Sequence, residues 1–280
     1  MTLSINGSTF ITGIFGHPVT HTLSPAMHNA AFEALSINAA YLPFEVKPQE
    51  LRGAVGALRL LNIKGVNVTI PHKTSVMKYL DAVDTLAKKI GSVNTIVNKG
   101  GKLAGYNTDA GGFLKDILQL GMDPKRASCL LLGAGGAGHA VAAALAQRGA
   151  KKIFIADSDG LRARKLAGRT PGAAAVAMNE WKQKLPEVSL VVNATPVGMK
   201  KSDPALLEAR EIPPGIFIYD LVYQHGTRLI EQARKAKVKH ASGLGMLLNQ
   251  GALAFELWTG RKAPVEVMRR TLLKILKEVS

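Results

Sequence analysis

The chain has 280 residues, 47% hydrophobic and 20% charged, which suits one large or two modest folded domains and excludes wholesale disorder. Its formal net charge of +16 fits an anionic partner or simply a basic surface. The basic residues are dispersed, with pairs such as Lys151-Lys152 and no long tract, which argues against nucleic-acid binding, and the single cysteine, Cys129, excludes an internal disulfide and a cysteine-based zinc site.

Taken in order, the segments alternate between strand and helix. Thr9 to Phe15 reads as a strand, and Ser24-Pro25 opens a helix with serine as N-cap and proline at the first helical position. Tyr41 to Val46 is a strand and Pro48 to Leu61 a helix. Val66, Val68 and Ile70 alternate with Asn67 and Thr69, as in a strand with one buried face. Residues 73–81 and 83–90 read as helical. Val93 to Val97 and Leu103 to Tyr106 flank Lys99-Gly100-Gly101-Lys102, a hairpin turn.

A helix from about Gly111 to Leu120 leads into the turn Gly121-Met122-Asp123-Pro124, where a domain crossing is expected. Ala127 to Leu132 is a continuous apolar strand, as in a parallel sheet buried on both faces. A helix runs to Gln147, and strands follow at Lys152–Ala156, Val188–Asn193 and Ile216–Tyr219. Two helices, Met246–Trp258 and Pro264–Val279, close the chain. The pattern predicts an α/β protein. Residues 1–110, completed by 245–280, form a substrate domain, and 111–244 form a Rossmann-type doubly wound parallel sheet. The glycines and His139 within the apolar stretch 127–146 exclude a spanning helix there. No signal peptide is read, so a cytoplasmic location without membrane attachment is expected.

Gly133-Ala134-Gly135-Gly136-Ala137-Gly138 lies between a strand and a helix, and Asp157 ends the next strand about 20 residues on, where the dinucleotide fingerprint needs an acid. Gly133 permits the tight turn, Gly135 lets pyrophosphate approach the backbone, and Gly138 lets helix and strand pack closely. The helix N-terminus then offers N–H groups to the phosphates. Asp157 favours NAD, because it can accept from ribose hydroxyls and repels a 2′-phosphate. Arg162, Arg164, Lys165 and Arg169, just downstream, keep NADP open.

The chemistry candidates each have a plain alternative. Ser24 can cap its helix, Thr22 can sit in a turn, and Asn67 and Thr69 can share an exposed strand face. Lys73 can be a surface lysine, Asp109 a helix N-cap, and Asn94 a turn residue. Their concentration in one domain supports a polyhydroxylated substrate, with Lys73 and Asp109 for proton exchange. His17 and His21 do not make a metal pair, because Pro18 interrupts a shared helix and no HExxH pattern is present, so no metal is expected.

Several motifs then carry a resemblance along essentially the whole length. They are Gly16-x-Pro18-x-x-His21-Thr22-Leu23-Ser24-Pro25-x-Met27-His28-Asn29, Asn67-Val68-Thr69-Ile70-Pro71-x-Lys73, Ile90-Gly91-Ser92-Val93-Asn94-Thr95 and Gly105-x-Asn107-Thr108-Asp109. Beyond the glycine turn come Asn193-Ala194-Thr195-Pro196-Val197-Gly198-Met199, Tyr219-Asp220-Leu221-Val222-Tyr223 and Gly243-Leu244-Gly245-Met246-Leu247 with Gln250. On these the chain resembles the shikimate/quinate dehydrogenases.

The resemblance implies reversible, dinucleotide-dependent reduction of 3-dehydroshikimate to shikimate, with NADP the family's default cofactor and NAD the alternative. Thr22 and Ser24 match the residues that hold the substrate carboxylate. Thr69, Asn94 and Gln250 match those on the ring hydroxyls, and Lys73 with Asp109 match the catalytic pair. Tyr223 and Gly243 fall where substrate and nicotinamide meet. Met199 and Met246 match residues near the nicotinamide, and Thr195 and Leu221 join the cofactor set. The chain departs from the pattern at Thr22, usually serine, and at Ala156-Asp157-Ser158-Asp159, where NADP-using members carry Asn-Arg-Thr. Rival readings are a quinate-oxidising enzyme using NAD and a dinucleotide-binding regulator without turnover. A homodimer is left open.

Overall fold

The computed structural model describes residues 5–223 and 226–279. The chain divides into two compact units, Met1–Thr108 with Leu248–Ser280, and Asp109–Leu247.

The first unit runs β1 (Phe10–Gly16), α1 (Ser24–Ala34), β2 (Ala39–Glu45), α2 (Leu51–Leu60), β3 (Gly65–Val68), β4 (Ala82–Val83), α3 (Thr85–Ile90), β5 (Thr95–Lys99) and β6 (Lys102–Tyr106). Its sheet has the order β2-β1-β3-β5-β6-β4. β1 pairs in parallel with β2 and β3, and β5 is antiparallel to β3 and β6. The hairpin between β5 and β6 turns on Gly100 and Gly101, whose φ of 58° and 85° are the pair of positive values a type I′ turn needs.

Two local expectations are corrected. β3 lies between β1 and β5 and all four of its residues are buried; it ends at Val68, and Ile70 is 56% exposed beyond it. Asn67 is therefore an interior side chain. Residues 73–81 do not form an α-helix: a 3₁₀ segment covers Ser75–Tyr79 and the chain then extends into β4. Asp81 causes that exit. Its N–H donates to Leu103 O, and its carboxylate accepts from Leu103 N at 2.7 Å and from Arg59 at 2.9 Å, which draws the segment alongside β6.

The second unit runs α4 (Asp109–Gln119), β7 (Ser128–Leu132), α5 (Gly136–Gln147), β8 (Lys152–Ala156), α6 (Gly160–Arg169), β9 (Ala173–Ala175), β10 (Leu190–Asn193), β11 (Phe217–Asp220), α7 (Arg228–Lys235) and β12 (Lys239–Ser242). All strands are parallel, in the order β12-β11-β10-β7-β8-β9. The strand order reverses between β7 and β10, and ligands of such sheets bind at the strand C-termini beside that reversal. β7 is apolar and buried because helices cover both faces of a parallel sheet. Cys129 sits within it, and burial pushes its thiol up to about 12.

α8 (Leu244–Thr259) carries the chain out of the second unit, and α9 (Val265–Val279) follows. Within the first unit Trp258 Nε1 donates to Ile96 O at 3.0 Å, and α9 packs on α1. Gly65 is required beneath this contact, since a Cβ there would collide with the Trp258 ring. Among the described residues no helix is long and apolar enough to cross a membrane.

Candidate active site

In the first unit the candidates gather at the C-terminal ends of β1 and β3. Helix α1 starts at Ser24, with Leu23 in the cap position and no side-chain capping bond, so the Ser24 hydroxyl is not the cap expected of it. Ser24 is buried, and its N–H donates to Thr22 Oγ1 at 3.3 Å. Thr69 is half-buried beside Gly16, where a Cβ would stand 2.5 Å from its methyl group.

The following turn is fixed from two sides. His72 is buried with Nε2 2.6 Å from Val46 O, and Val93 N–H donates to the Lys73 carbonyl at 2.8 Å. The half-buried lysine therefore rises from a held backbone, next to the segment that carries Asn94.

Asn94 is the centre of a buried web. Its Oδ1 accepts from Thr108 N at 2.7 Å and from Thr95 Oγ1 at 3.2 Å, so its Nδ2 must face the other way. That group donates to Thr108 Oγ1 at 2.8 Å and to Gln250 Oε1 at 3.3 Å. Behind it, Asn67 Nδ2 donates to Thr95 Oγ1 and Asn94 O, while Asn67 Oδ1 accepts from Tyr41 OH at 2.8 Å. Thr108, Thr95 and Tyr41 belong to this web: Thr95 and Thr108 stood in quoted motifs without an assigned role, and Tyr41 was missed because it lies far from both in the sequence. Tyr41 is stacked on His28, ring centroids 4.4 Å apart. His28 is fully buried, neither ring nitrogen has a hydrogen-bond partner among the described residues, and burial lowers its pKa to about 3.

In the second unit Asp109 is buried in the first turn of α4, inside the helix rather than capping it. Lys73 and Asp109 thus belong to different units. The glycine turn meets three distinct demands. Gly133 has φ 102°, and a Cβ there would stand 2.7 Å from the Ala194 carbonyl carbon. A Cβ on Gly138 would collide with Gly133 O, whereas one on Gly135 would meet nothing within 4 Å. The turn is closed where chain meets chain and open at Gly135, which caps α5 with no side-chain bond of its own. Gly136 and Ala137 form the first turn of α5. Such a cradle fits a pyrophosphate.

Asp157 grips this turn: its Oδ2 accepts from Ala134 N at 2.7 Å and its Oδ1 from Asp159 N at 2.8 Å. Arg162, Arg164, Lys165 and Arg169 are exposed on α6, with Arg162 3.2 Å from Asp159. At the ends of β10 and β11, Thr195 Oγ1 donates to Asn193 Oδ1 at 2.6 Å, Met199 is exposed and Leu221 half-buried. Gly243 fits against the Leu221 carbonyl, where a Cβ would collide. Met246 is buried. Tyr219 OH donates to Asp116 at 2.6 Å, and burial and that carboxylate hold its pKa well above the ordinary phenol value. Desolvation pushes the half-buried Tyr223 phenol up to about 12, so it is a neutral donor at physiological pH.

Known proteins match the chain along nearly its whole length. Residues 14–96 match the shikimate dehydrogenase substrate binding domain, residues 114–208 the shikimate/quinate 5-dehydrogenase domain, and residues 243–273 the shikimate 5′-dehydrogenase C-terminal domain. A Methanopyrus kandleri protein named shikimate dehydrogenase (NADP(+)) is 45% identical over 99% of both chains. The crystal structure of shikimate dehydrogenase from Aquifex aeolicus superposes with a TM-score of 0.91 at 40% identity, covering 96% of this chain and 99% of that one. A Listeria monocytogenes shikimate 5-dehydrogenase, in complex with shikimate and NAD, gives 0.88 at 35% identity, covering 97% and 99%. With this identity over nearly its full length, the chain belongs to the shikimate/quinate dehydrogenase family.

Proposed function

We propose that the protein interconverts 3-dehydroshikimate and shikimate by hydride exchange with a nicotinamide dinucleotide. The observation that carries the reading is the buried, uncharged web of Asn94, Thr108 and Gln250 beside a lysine whose backbone is pinned by Val93. A polyhydroxylated ring needs donors and acceptors in fixed directions, and amides and hydroxyls supply both without placing a net charge beside it. Thr22 and Ser24 are assigned the substrate carboxylate, and Thr69, Asn94, Gln250 and Tyr223 its hydroxyl-bearing face.

Lys73 and Asp109 are assigned the proton transfer, Lys73 as donor and acceptor and Asp109 as its orienter. In oxidation the substrate hydroxyl gives its proton to the Lys73 amine; in reduction the ammonium returns it to the carbonyl oxygen. The bound dinucleotide takes up or supplies the hydride. Gly133, Ala134, Gly135, Gly136, Ala137 and Gly138 would receive its pyrophosphate, Asp157 its adenosine ribose, and Thr195, Met199, Leu221, Gly243 and Met246 its nicotinamide half.

For the cofactor we propose that both NADP and NAD serve. The Methanopyrus relative is named for NADP(+), and the Listeria structure holds NAD. In this chain Asp157 already accepts two backbone N–H groups, yet a carboxylate has about four acceptor sites, so a ribose hydroxyl can still bond to it. The exposed arginines of α6 would offset a 2′-phosphate. Initial rates with shikimate and with quinate, each with NADP and NAD, test the whole reading. Shikimate turnover above quinate turnover is expected; the reverse overturns the substrate assignment, and no turnover with either overturns the enzyme.

A further inference from the structure

We infer that Asp220 is a positioning residue for dinucleotide binding, acting as a buried staple between the two loops at the ends of β10 and β11. The inference rests on the reading that the second unit holds a nicotinamide dinucleotide.

Asp220 ends β11 with no solvent exposure. A carboxylate in such a place is costly unless donors surround it. Among the described residues they come from Asn193, Val222 and Thr227. Oδ1 accepts from Asn193 Nδ2 at 2.9 Å and from Val222 N at 3.1 Å, and Oδ2 accepts from Thr227 Oγ1 at 2.6 Å. Asn193 ends β10, Val222 follows β11, and Thr227 precedes α7.

Each contact passes the restraint outward. With Nδ2 held by Asp220 and Val197 O, Asn193 turns Oδ1 toward Thr195, where it accepts from both N and Oγ1 at 3.0 and 2.6 Å. Thr195 Oγ1 in turn accepts from Val197 N at 3.2 Å. Thr227 caps α7 by accepting from Ile230 N at 3.3 Å, and its methyl packs on Gly198, which has φ 105° and where a Cβ would stand 3.2 Å away. Asn193 O also accepts from Leu221 N at 2.9 Å.

Ala194, between Asn193 and Thr195, is the residue against which Gly133 closes the glycine turn. One carboxylate thus lies at the root of the elements assigned to the pyrophosphate and to the nicotinamide half. It is set back from them: its oxygens are taken up by protein donors, so its influence runs through Asn193 and the backbone.

The test compares wild type, Asp220→Ala and Asp220→Asn. NADPH dissociation constants come from fluorescence titration and shikimate KM from initial rates, with thermal melts confirming folded protein. Losing the staple should weaken NADPH binding about tenfold in Asp220→Ala, with shikimate KM changed less than about threefold. Asp220→Asn should recover to within about threefold of wild type, because an amide oxygen can take the place of Oδ1 while its NH2 faces Thr227 Oγ1.

An unchanged NADPH constant in folded Asp220→Ala overturns the inference. So does an equal rise in shikimate KM, or an Asp220→Asn variant as weak as the alanine one, which would point to the charge rather than the staple. If Asp220→Ala does not fold, Thr227→Val and Thr227→Ser decide: the valine variant, which loses the hydroxyl on Oδ2 and with it the cap of α7, should bind NADPH about threefold more weakly and the serine variant, which keeps both bonds, should match wild type, and no change in the valine variant overturns the inference. Wild type that binds NADPH but turns over no shikimate would sink the proposed reaction and leave this inference standing.

Discussion

In the first unit, Asn67, Asn94, Thr95, Thr108 and Gln250 form a buried web with no formal charge. In the second, the corresponding centre is the carboxylate of Asp220, ringed by Asn193, Val222 and Thr227. The first arrangement presents donors and acceptors in set directions, which is what reading a ring of hydroxyls requires. The second spends its acceptors on protein donors, so on the proposed reading it holds the ends of β10 and β11 and leaves ligand contact to other residues. Recognition of a small neutral pattern and support of a long phosphorylated ligand thus call for different interiors.

The comparison breaks first at Lys73. Lys73→Ala should lower kcat by about 10²–10⁴-fold with shikimate binding changed only a few-fold; near-normal turnover would remove the lysine from proton transfer. Next is the glycine turn. Gly138→Val puts a side chain into the Gly133 carbonyl, and displacement of helix against strand should cost about 1–3 kcal/mol by urea unfolding and abolish measurable dinucleotide binding. A variant that binds NADPH normally would show the turn has slack.

The ring stacked on Tyr41 at the edge of the web carries a pH signature. His28 has a folded-state pKa of about 3 against an ordinary 6.5, so the unfolded chain takes the proton first as pH falls. Its contribution to stability is whole above about pH 6.5 and is lost progressively as pH falls toward 3, at about 1.4 kcal/mol per unit, or roughly 2 kcal/mol by pH 5. His28→Phe should flatten the difference in unfolding free energy between pH 7.5 and pH 5 by that amount. An unchanged slope would show that the buried ring is not proton-linked.

Two smaller effects sharpen the contrast. Asn94→Ala should raise shikimate KM about tenfold while leaving the NADPH constant within about twofold. Equal change in both would erase the division of labour. Asp157→Ala should weaken both dinucleotides, because Ala134 loses its acceptor, and NAD more than NADP, moving the ratio of kcat/KM several-fold toward NADP. A constant ratio would leave Asp157 with its turn-holding role alone.

The glycine turn was legible because its demands are local: a positive φ at Gly133 and a close approach at Gly138 admit one residue type, and the strand before and helix after are written in adjacent residues. The doubly wound sheet was legible from apolar runs of the right length. The strand Lys239–Ser242 was not, since Lys-His-Ala-Ser at a sheet edge has no apolar rhythm. Asn67 was read on a one-sided strand because the side chains that meet it, Tyr41 and Thr95, stand 26 and 28 residues away in the sequence. Ser24 was taken for a cap, but the helix begins one residue early and frees the hydroxyl. Asp220 stood in a quoted motif, yet no spacing rule tells a staple from a ligand contact.

The lone sulfhydryl in β7 has a practical consequence. Enclosed by the parallel sheet and protonated far above neutrality, it should ignore maleimides and nitroxide reagents while the fold holds. A cysteine installed at exposed Lys201 or Lys165 would then be the one reactive handle, so a single fluorophore or spin label could report cofactor capture on a background that needs no prior thiol removal.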